Sequence, residues 1–343
     1  MKTVTAYAAL DLRIDDHPEP EPGPGEVLVD METGGICGSD LHYFNHGGFG
    51  TVRLKEPMIL GHEVAGRVAA LGEGVRGVEV GQRVAVSPSR PCATCTFCQT
   101  GKQNHCLNMR FYGSAMPFPH IQGAFRERLV ADAAQCIPAD GLTASEAATA
   151  EPLSVVLHAA RQVGDLMGKR VLVTGCGPIG LLAVIVARNA GAVEIAATDI
   201  TPFTLAKAQE VGADLVVNVA DEPDGLAPFT ADKGHFDVHF ECSGVAAALS
   251  AAVPALRPGA TIVQLGLGGD MTLPVQAMTA KELVLKGSFR FHHEFRSAVE
   301  MMSAGRIDTR PLVTHVEPVA EARRAFELAS DRTTAIKVQL DFA

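Results

Sequence analysis

Four of the eight cysteines in the chain stand close together, and their spacing suits a metal ion. They are Cys92, Cys95, Cys98 and Cys106, in the segment SRPCATCTFCQTGKQNHC. Zinc accepts four thiolates in a tetrahedral site, and such a closed site is structural because it leaves no position for water or substrate. The alternatives are unrelated or redox-active thiols and an iron–sulfur cluster, whose usual spacings are tighter and lead to a proline. We therefore predict a structural zinc ion that holds a loop with little core of its own.

A second set of metal-binding side chains occurs upstream, in glycine-rich turns. Cys37 lies in GGICGSDLHYF, and His62 and Glu63 lie in LGHEVAG. With one later carboxylate they suit an open zinc site, in which three protein ligands leave a position for a substrate oxygen. Glu151, in AEPLSVVLHAA, is the candidate because a charge that opens an apolar helix needs a partner, and Glu63 is its rival. The alternative is that Glu151 is a first-turn acid favoured by the helix dipole, and that the cysteine and histidine are packed core residues.

The segment VTGCGPIG has the glycine spacing of a dinucleotide-binding turn, with an apolar strand before it and an apolar helix after it. In such a turn the first glycine makes the bend, the second lets the backbone approach pyrophosphate, and the third lets the helix pack closely. The phosphate lies at the helix N-terminus. The candidate cofactor-binding residues of the turn are Gly175, Gly177, Pro178, Ile179 and Gly180. A strand-to-helix turn that binds no ligand is the alternative.

The next strand, VEIAATD, ends in Asp199, about 20 residues after the glycine turn. An acid at this place accepts hydrogen bonds from the ribose hydroxyls and repels a 2′-phosphate. We therefore predict NAD as the cofactor in preference to NADP.

An open zinc site beside a nicotinamide-binding fold predicts oxidation of an alcohol. Zinc lowers the pKa of the hydroxyl, and the nicotinamide ring accepts hydride from the adjacent carbon. The released proton then needs a route to solvent. Ser39 and His42 follow Cys37 closely and are the candidates for this relay. The alternative for His42 is a histidine in a surface turn.

The composition favours a small-molecule substrate. The chain has 343 residues, of which 47% are hydrophobic, enough for two domains of ordinary size. Its formal net charge of -10 argues against nucleic acid or an anionic membrane as a partner, since both need a basic face. With no long apolar run and no signal-like N-terminus, we expect the reducing cytoplasm, where clustered thiols bind metal.

Two regions with different secondary-structure patterns must position these residues. Short strands broken by Gly and Pro run from about residue 25 to 135 and predict an irregular β domain. Apolar strands then alternate with amphipathic helices, which is typical of a parallel sheet, and each later strand is expected to follow a crossover helix. We predict a β-rich domain from residues 1–150 and 295–343, and an inserted dinucleotide domain from residues 151–294.

GHEVAG, the four-cysteine segment and GxGxxG resemble, in order and spacing, the motifs of the zinc-dependent medium-chain dehydrogenase family over almost the full chain. The resemblance implies an α/β fold, with a GroES-like catalytic domain and an inserted Rossmann NAD-binding domain. It implies that Cys37, His62 and either Glu151 or Glu63 hold a catalytic zinc ion. The four clustered cysteines would hold a structural one, giving two zinc ions per subunit. Cytoplasmic homodimers or homotetramers are also implied.

Within the family, EPLSVVLHA resembles the polyol branch, which includes sorbitol dehydrogenases, because Glu151 stands where alcohol dehydrogenases have a cysteine. MRFYGSAMPFPHIQGAF and KGSFRF resemble dehydrogenases of sugar acids, and the implied reaction is L-idonate to 5-ketogluconate. A sugar acid needs a cationic partner for its carboxylate, and Arg110 and Arg290 are the candidates. Either arginine is otherwise solvated or in a structural ion pair. The alternatives are a substrate such as sorbitol, xylitol or threonine, and a regulator that binds NAD without catalysis.

Overall fold

The computed structural model describes residues 1–343, and the predicted α/β fold class is confirmed. The first part of the chain consists mainly of short strands, as its frequent glycines and prolines predict. Its strands are β1 Lys2–Ala8, β2 Asp11–Asp16, β3 Glu26–Gly35, β4 Gly48–Phe49, β5 Val52–Arg53, β6 Met58–Ile59, β7 Glu63–Leu71, β8 Arg83–Val86, β9 Ser89–Arg90, β10 Arg110–Phe111, β11 Arg128–Asp132 and β12 Cys136–Pro138. Its helices are α1 Gly38–His46, α2 Thr96–Gln99, α3 Ala144–Ala148 and α4 Ala150–Val163.

The second part forms a parallel sheet of six strands in the order β15-β14-β13-β16-β17-β18. The strands are β13 Arg170–Thr174, β14 Glu194–Asp199, β15 Leu215–Asn218, β16 Phe236–Glu241, β17 Leu256–Gln264 and β18 Val284–Gly287. The helices are α5 Pro178–Asn189, α6 Pro202–Glu210, α7 Ala246–Ala252 and α8 Val275–Ala280. This strand order is that of a Rossmann sheet, in which the direction of progression reverses between the first and fourth strands.

The prediction of a crossover helix before every strand is wrong at β16. Two short 3₁₀ turns, Ala227–Phe229 and Ala231–Lys233, stand in its place. The connection contains prolines and glycines, among them Pro223, Pro228 and Gly234, which disfavour a continuous helix. The other expected strands and helices of this sheet are present.

The tail returns to the first part of the chain, as predicted. It contains α9 Glu294–Ser303, β19 Val313–Pro318, α10 Ala322–Ser330 and β20 Lys337–Asp341. Strand β20 pairs antiparallel with β3 and parallel with β19. The resulting sheet has seven strands in the order β12-β8-β7-β3-β20-β19, with β11 also on β3. The domain boundaries themselves stay a prediction.

Helix α4 joins the two parts. It packs against α5 and α9, and its apolar residues Leu153 and Val156 belong to the same buried cluster as Phe291 and Phe295, which follow the last parallel strand. This packing places the start of α4 and the loop after β18 beside the metal-binding turns of the first part.

Candidate active site

The four clustered cysteines meet in a lobe that follows strand β9. Their sulfur atoms all lie within 4.8 Å of one another, and Sγ of Cys95 lies 4.0 Å from Sγ of Cys106. Tetrahedral zinc–sulfur bonds of about 2.3 Å separate the sulfurs by roughly 4 Å, so the thiols fit a zinc ion. Backbone N–H groups of Cys92 and Asn108 donate to the Cys106 sulfur over 3.2 and 3.4 Å. Hydrogen bonds, the largest contribution coming from the Thr94 hydroxyl, lower the pKa of Cys92 to about 5, whereas burial raises the pKa of Cys98 to about 12. A bound zinc ion would stabilise the thiolate form of all four cysteines.

Cys37, His62 and Glu63 form a second cluster, with one ligand atom of each within 4.8 Å of the others. The pairing of β3 with β7 brings them together, because Gly35 stands opposite Glu63 and Cys37 then caps helix α1. The buried Nδ1 of His62 has no hydrogen-bond partner and lies 3.7 Å from Oδ1 of Asp40. The imidazole of His62 is therefore free to bind a metal ion. A thiol, an imidazole and a carboxylate together are a donor set that zinc accepts.

Glu151 is buried in the first turn of α4 and lies beside this cluster rather than within it. Burial raises its pKa to about 8; His62 lowers the pKa, and Glu63 and Cys37 raise it further. Burial also raises the pKa of Cys37 to about 12. Burial thus disfavours the charged forms of Glu151 and Cys37, and a bound divalent cation would stabilise those forms. Glu63 and Glu151 both stay candidates for the third ligand.

Sequence reasoning missed Lys337, which is buried behind the cluster. Its Nζ donates to both carboxylate oxygens of Glu63, at 2.8 and 2.7 Å, and to the carbonyl of Ile36 at 3.1 Å. Glu63 thus has a cation partner, whereas Glu151 forms no salt bridge. The signal for Lys337 was present in the segment AIKVQL, since a lysine inside an apolar strand needs a buried partner.

Asp40 is a second charged residue that sequence reasoning missed. It is fully buried and accepts hydrogen bonds from the backbone N–H groups of Cys37 at 3.0 Å and Gly61 at 3.1 Å. These bonds hold the two turns that carry Cys37 and His62. An acid three residues after the helix cap is a recognisable capping pattern. The sequence GSD after Cys37 therefore contained a signal for the role of Asp40.

Ser39 and His42, the predicted proton relay, both lie on helix α1 and are partly buried. His42 contacts Phe49, with ring centroids 5.6 Å apart, and burial lowers its pKa. A neutral imidazole is the form that can accept a proton. The structure records no hydrogen bond between the two side chains, and the relay stays a prediction.

The glycine turn has the geometry that dinucleotide binding requires. Gly175 has φ +85°, and a Cβ at Gly180 would overlap the Gly175 carbonyl, so neither position tolerates a side chain. Gly177 caps α5, and a Cβ there would meet nothing within 4 Å, which is open space for a ligand. Pro178 and Ile179 form the first turn of the helix, whose N-terminus favours phosphate.

Asp199 is the last residue of strand β14 and lies beside the glycine turn. Its carboxylate accepts hydrogen bonds from the backbone N–H groups of Cys176 at 2.6 Å, Ile200 at 2.7 Å and Thr201 at 3.0 Å. The acid thus holds the turn beside β14 and stays partly exposed. Its contact with ribose stays a prediction.

The two candidate arginines have different surroundings. The guanidinium of Arg290 is partly buried, 4.3 Å from the ring centroid of Phe111 and 4.9 Å from that of Phe289. Burial lowers its pKa and the nearby charge of Glu151 raises it. Phe111 also contacts His62, with ring centroids 5.6 Å apart, so Arg290 lies close to the metal cluster.

Arg110 is exposed, and the structure records no partner for it. Successive side chains of a strand point to opposite faces. In β10 the neighbouring Phe111 points toward the metal cluster, so Arg110 points away from it. Arg290 is therefore the better placed of the two to meet a substrate.

Comparison with known proteins assigns this site to a family. Residues 23–141 match the alcohol dehydrogenase GroES-like domain, and residues 178–304 match the zinc-binding dehydrogenase family. L-Idonate 5-dehydrogenase (NAD(P)(+)) of Escherichia coli is 42% identical over 318 residues, 92% of this chain and 92% of that protein. The chain belongs to the zinc-dependent medium-chain dehydrogenase family.

Other members of this dehydrogenase family place it in the polyol branch. The sorbitol dehydrogenase of Gallus gallus is 38% identical over 343 residues, 98% of this chain and 95% of that protein. A crystal structure of L-idonate 5-dehydrogenase from Escherichia coli matches with a TM-score of 0.95 at 39% identity, over 99% of this chain and 97% of that one.

Family membership confirms the predicted enzyme class. The protein is a zinc-dependent dehydrogenase of the family that acts on polyols and sugar acids and binds NAD(P), and its substrate is a small molecule. The alternative of a regulator without catalysis is thereby set aside. None of the helices in this dehydrogenase has the length and apolar character needed to cross a membrane.

Proposed function

We propose that this dehydrogenase oxidises a secondary hydroxyl of L-idonate to give 5-ketogluconate, with NAD as the hydride acceptor. The observation that carries the proposal is Arg290. Its partly buried guanidinium has no carboxylate partner, and its recorded side-chain hydrogen bond is to the Met116 sulfur at 3.3 Å, a weak acceptor. A substrate carboxylate would complete this site, because a cation away from water needs a partner. The identity to L-idonate 5-dehydrogenase supports the same substrate.

Zinc and nicotinamide supply the chemistry when bound, since the metal lowers the pKa of an alcohol and the ring accepts a hydride. The chain supplies position and charge. Cys37 and His62, with one of the two candidate carboxylates, would hold the catalytic ion, and the four-cysteine lobe a second one. Ser39 and His42 would pass the released proton outward.

Replacing Arg290 by methionine tests the substrate. Methionine keeps much of the packing volume and removes the charge-assisted hydrogen bonds, each worth roughly 1.5 to 3 kcal/mol. We expect kcat/KM for L-idonate to fall about tenfold to a hundredfold, while kcat/KM for sorbitol changes much less. Both are measured from the appearance of NADH.

Arg110→Met is the matched control, because it removes the same charge at an exposed position. It should leave the ratio of sugar-acid to polyol activity unchanged. If neither substitution shifts that ratio, the carboxylate is held elsewhere or is not part of the substrate. An uncharged polyol, the second candidate, then becomes the better assignment, and the identity to sorbitol dehydrogenase supports it. A shift in Arg110→Met alone would reverse the roles of the two arginines.

We further propose that NAD is preferred to NADP. Asp199 brings a negative charge to the end of β14, and the following residues Ile200 and Thr201 carry no positive charge for a phosphate. One unfavourable charge contact of roughly 1.4 kcal/mol gives a tenfold ratio, so kcat/KM for NAD should exceed that for NADP by at least about tenfold. Asp199→Asn keeps the shape and should reduce the preference. Equal use of both nucleotides by the unmodified enzyme, as the name of the Escherichia coli relative allows for that protein, would contradict the proposal.

A second copy of the chain is the proposed partner, at the edge of the parallel sheet. Strand β18 is the last strand there, and its Val284 and Leu285 are 43% and 41% exposed. An edge strand with exposed apolar side chains and unpaired backbone groups is a template for another strand. Pairing of two such edges would give a homodimer. Sedimentation that finds only monomer at micromolar concentration would exclude it.

The cytoplasm is the proposed location. All eight cysteines are free thiols, which supports a reducing compartment, and both cysteine-containing clusters need reduced thiols to bind metal.

A further inference from the structure

A buried carboxylate outside the metal site, Glu241, connects the ends of three parallel strands. It is the last residue of β16 and is fully buried. Its Oε1 accepts hydrogen bonds from the backbone N–H of Ser243 at 2.9 Å, from the Thr174 hydroxyl at 3.3 Å, and from the Ser243 hydroxyl. Its Oε2 accepts from the backbone N–H of Gly244 at 3.0 Å and from the side-chain amide of Gln264. Since Thr174 ends β13 and Gln264 ends β17, one carboxylate joins β13, β16 and β17.

The backbone N–H groups and the Gln264 amide around Glu241 suit a carboxylate. Backbone N–H and amide NH₂ groups can only donate, so an amide at this position would place its own NH₂ against donors. No lysine or arginine pairs with Glu241, so its hydrogen bonds alone support the negative charge. An apolar side chain here would leave the backbone N–H groups of Ser243 and Gly244 without a partner. The carboxylate therefore fixes the shape of the loop after β16.

His239 extends the network into the sheet. It is fully buried, burial lowers its pKa to about 3, and its Nε2 lies 2.9 Å from the Thr174 hydroxyl. Because that hydroxyl donates to Glu241, the neutral His239 donates its Nε2–H to the hydroxyl, an assignment made from the network. The hydroxyl of Thr174 is thus held in one orientation.

Glycines bring the loops after these strands into direct contact. A Cβ at Gly175 would lie 2.7 Å from the backbone nitrogen of Ser243, and a Cβ at Gly268 would overlap the carbonyl of Gly244. The turn after β13 therefore rests on the loop after β16, which rests on the loop after β17. Glu241 lies at the centre of this stack.

The stack lies where a dinucleotide must cross the sheet. Strand order reverses between β13 and β16, and ligands bind such sheets in the crevice at that point. The glycine turn and Asp199 occupy the β13–β14 side, which is the side of the adenosine half. The nicotinamide half then falls over the loops after β16 and β17.

We propose that Glu241 is a positioning residue for the nicotinamide ring. Its hydrogen bonds hold residues 242–244 and 264–268 in the shape that receives the ring. The inference rests on the proposed function, because it needs a nicotinamide dinucleotide as the cofactor.

Binding of two probes to Glu241→Gln tests the role without turnover. NADH carries the nicotinamide ring, and ADP-ribose lacks only that ring. By isothermal titration we expect the Kd for NADH to rise at least about tenfold, because the amide NH₂ faces donors and displaces the loops. The Kd for ADP-ribose should stay within about twofold, because the glycine turn and Asp199 are untouched.

Asp237→Asn is the matched control. This carboxylate lies near the opposite end of the same strand, β16. It accepts a hydrogen bond from the backbone N–H of Arg170 at 2.8 Å and one from the Arg257 side chain at 3.1 Å. Its loss should change neither Kd. Where Glu241→Gln does not fold, Gln264→Met removes one donor to the same carboxylate and should show the same selective loss of NADH binding.

Two outcomes overturn the inference. Unchanged binding of NADH shows that the carboxylate has no part in receiving the ring, and an equal loss for NADH and ADP-ribose shows that it supports only the fold. If the unmodified enzyme binds neither probe, the proposed cofactor is wrong. That result differs from the two outcomes above, because both of them concern the Glu241→Gln variant.

Discussion

Cys37→Ala abolishes turnover of L-idonate while the chain still binds NADH: this is the largest effect that we expect. A zinc ion without its thiolate ligand is lost or misplaced, and several kcal/mol of stabilisation go with it, so kcat should fall at least about a thousandfold. NADH binding, followed by its fluorescence, should change little because the glycine turn and Asp199 lie on the parallel sheet. Metal analysis should show the loss of one zinc ion per chain.

Cys136→Ala is the control for this variant. Cys136 is a buried thiol in β12 and belongs to neither cysteine-containing cluster. Its replacement should cost stability through packing and leave the zinc content unchanged. If Cys37→Ala keeps activity within about tenfold of the unmodified enzyme, a loss of less than about 1.4 kcal/mol, Cys37 is not a ligand of the catalytic ion.

Cys98→Ala should instead destabilise the protein. None of the four thiols belongs to a buried apolar cluster, so we expect the metal to supply much of the free energy that orders the lobe. We expect the loss of one zinc ion and a fall in Tm of at least about 5 °C, since each kcal/mol corresponds to roughly 2–4 °C in a domain of 150–250 residues. Activity should fall as a consequence.

Contacts between the lobe and Phe289 explain why activity should fall in Cys98→Ala. Asn104 of the lobe donates to the carbonyl of Phe289 at 3.0 Å, and His105 stacks on the Phe289 ring with centroids 5.9 Å apart. Phe289 precedes Arg290, so disorder of the lobe should raise KM for L-idonate before it affects NADH binding. Gln99→Ala, at an exposed position of the same helix α2, should change neither Tm nor KM. Unchanged Tm with lost chemistry in Cys98→Ala would mean that the roles of the two metal sites are reversed.

Local spacing determined much of this protein from the sequence alone. The four-cysteine segment and the strand, glycine turn and helix around Gly175 are each short, and their geometry depends on residues close to one another along the chain. The pattern of apolar segments also predicted the parallel sheet, because a buried strand and an amphipathic helix each have their own period. Only the connection before β16, where prolines and glycines interrupt, departed from that pattern.

The tertiary structure decided which charges meet. Lys337 reaches Glu63 from 274 positions away because β20 pairs with β3, and no local pattern encodes that pairing. The direction of a side chain separates Arg290 from Arg110, although both were equal candidates in the sequence. Glu241 reads as an ordinary acid at a strand end, yet it joins three strands. Charge interactions depend on distance and burial, and in these cases both were set by contacts between segments far apart in the chain.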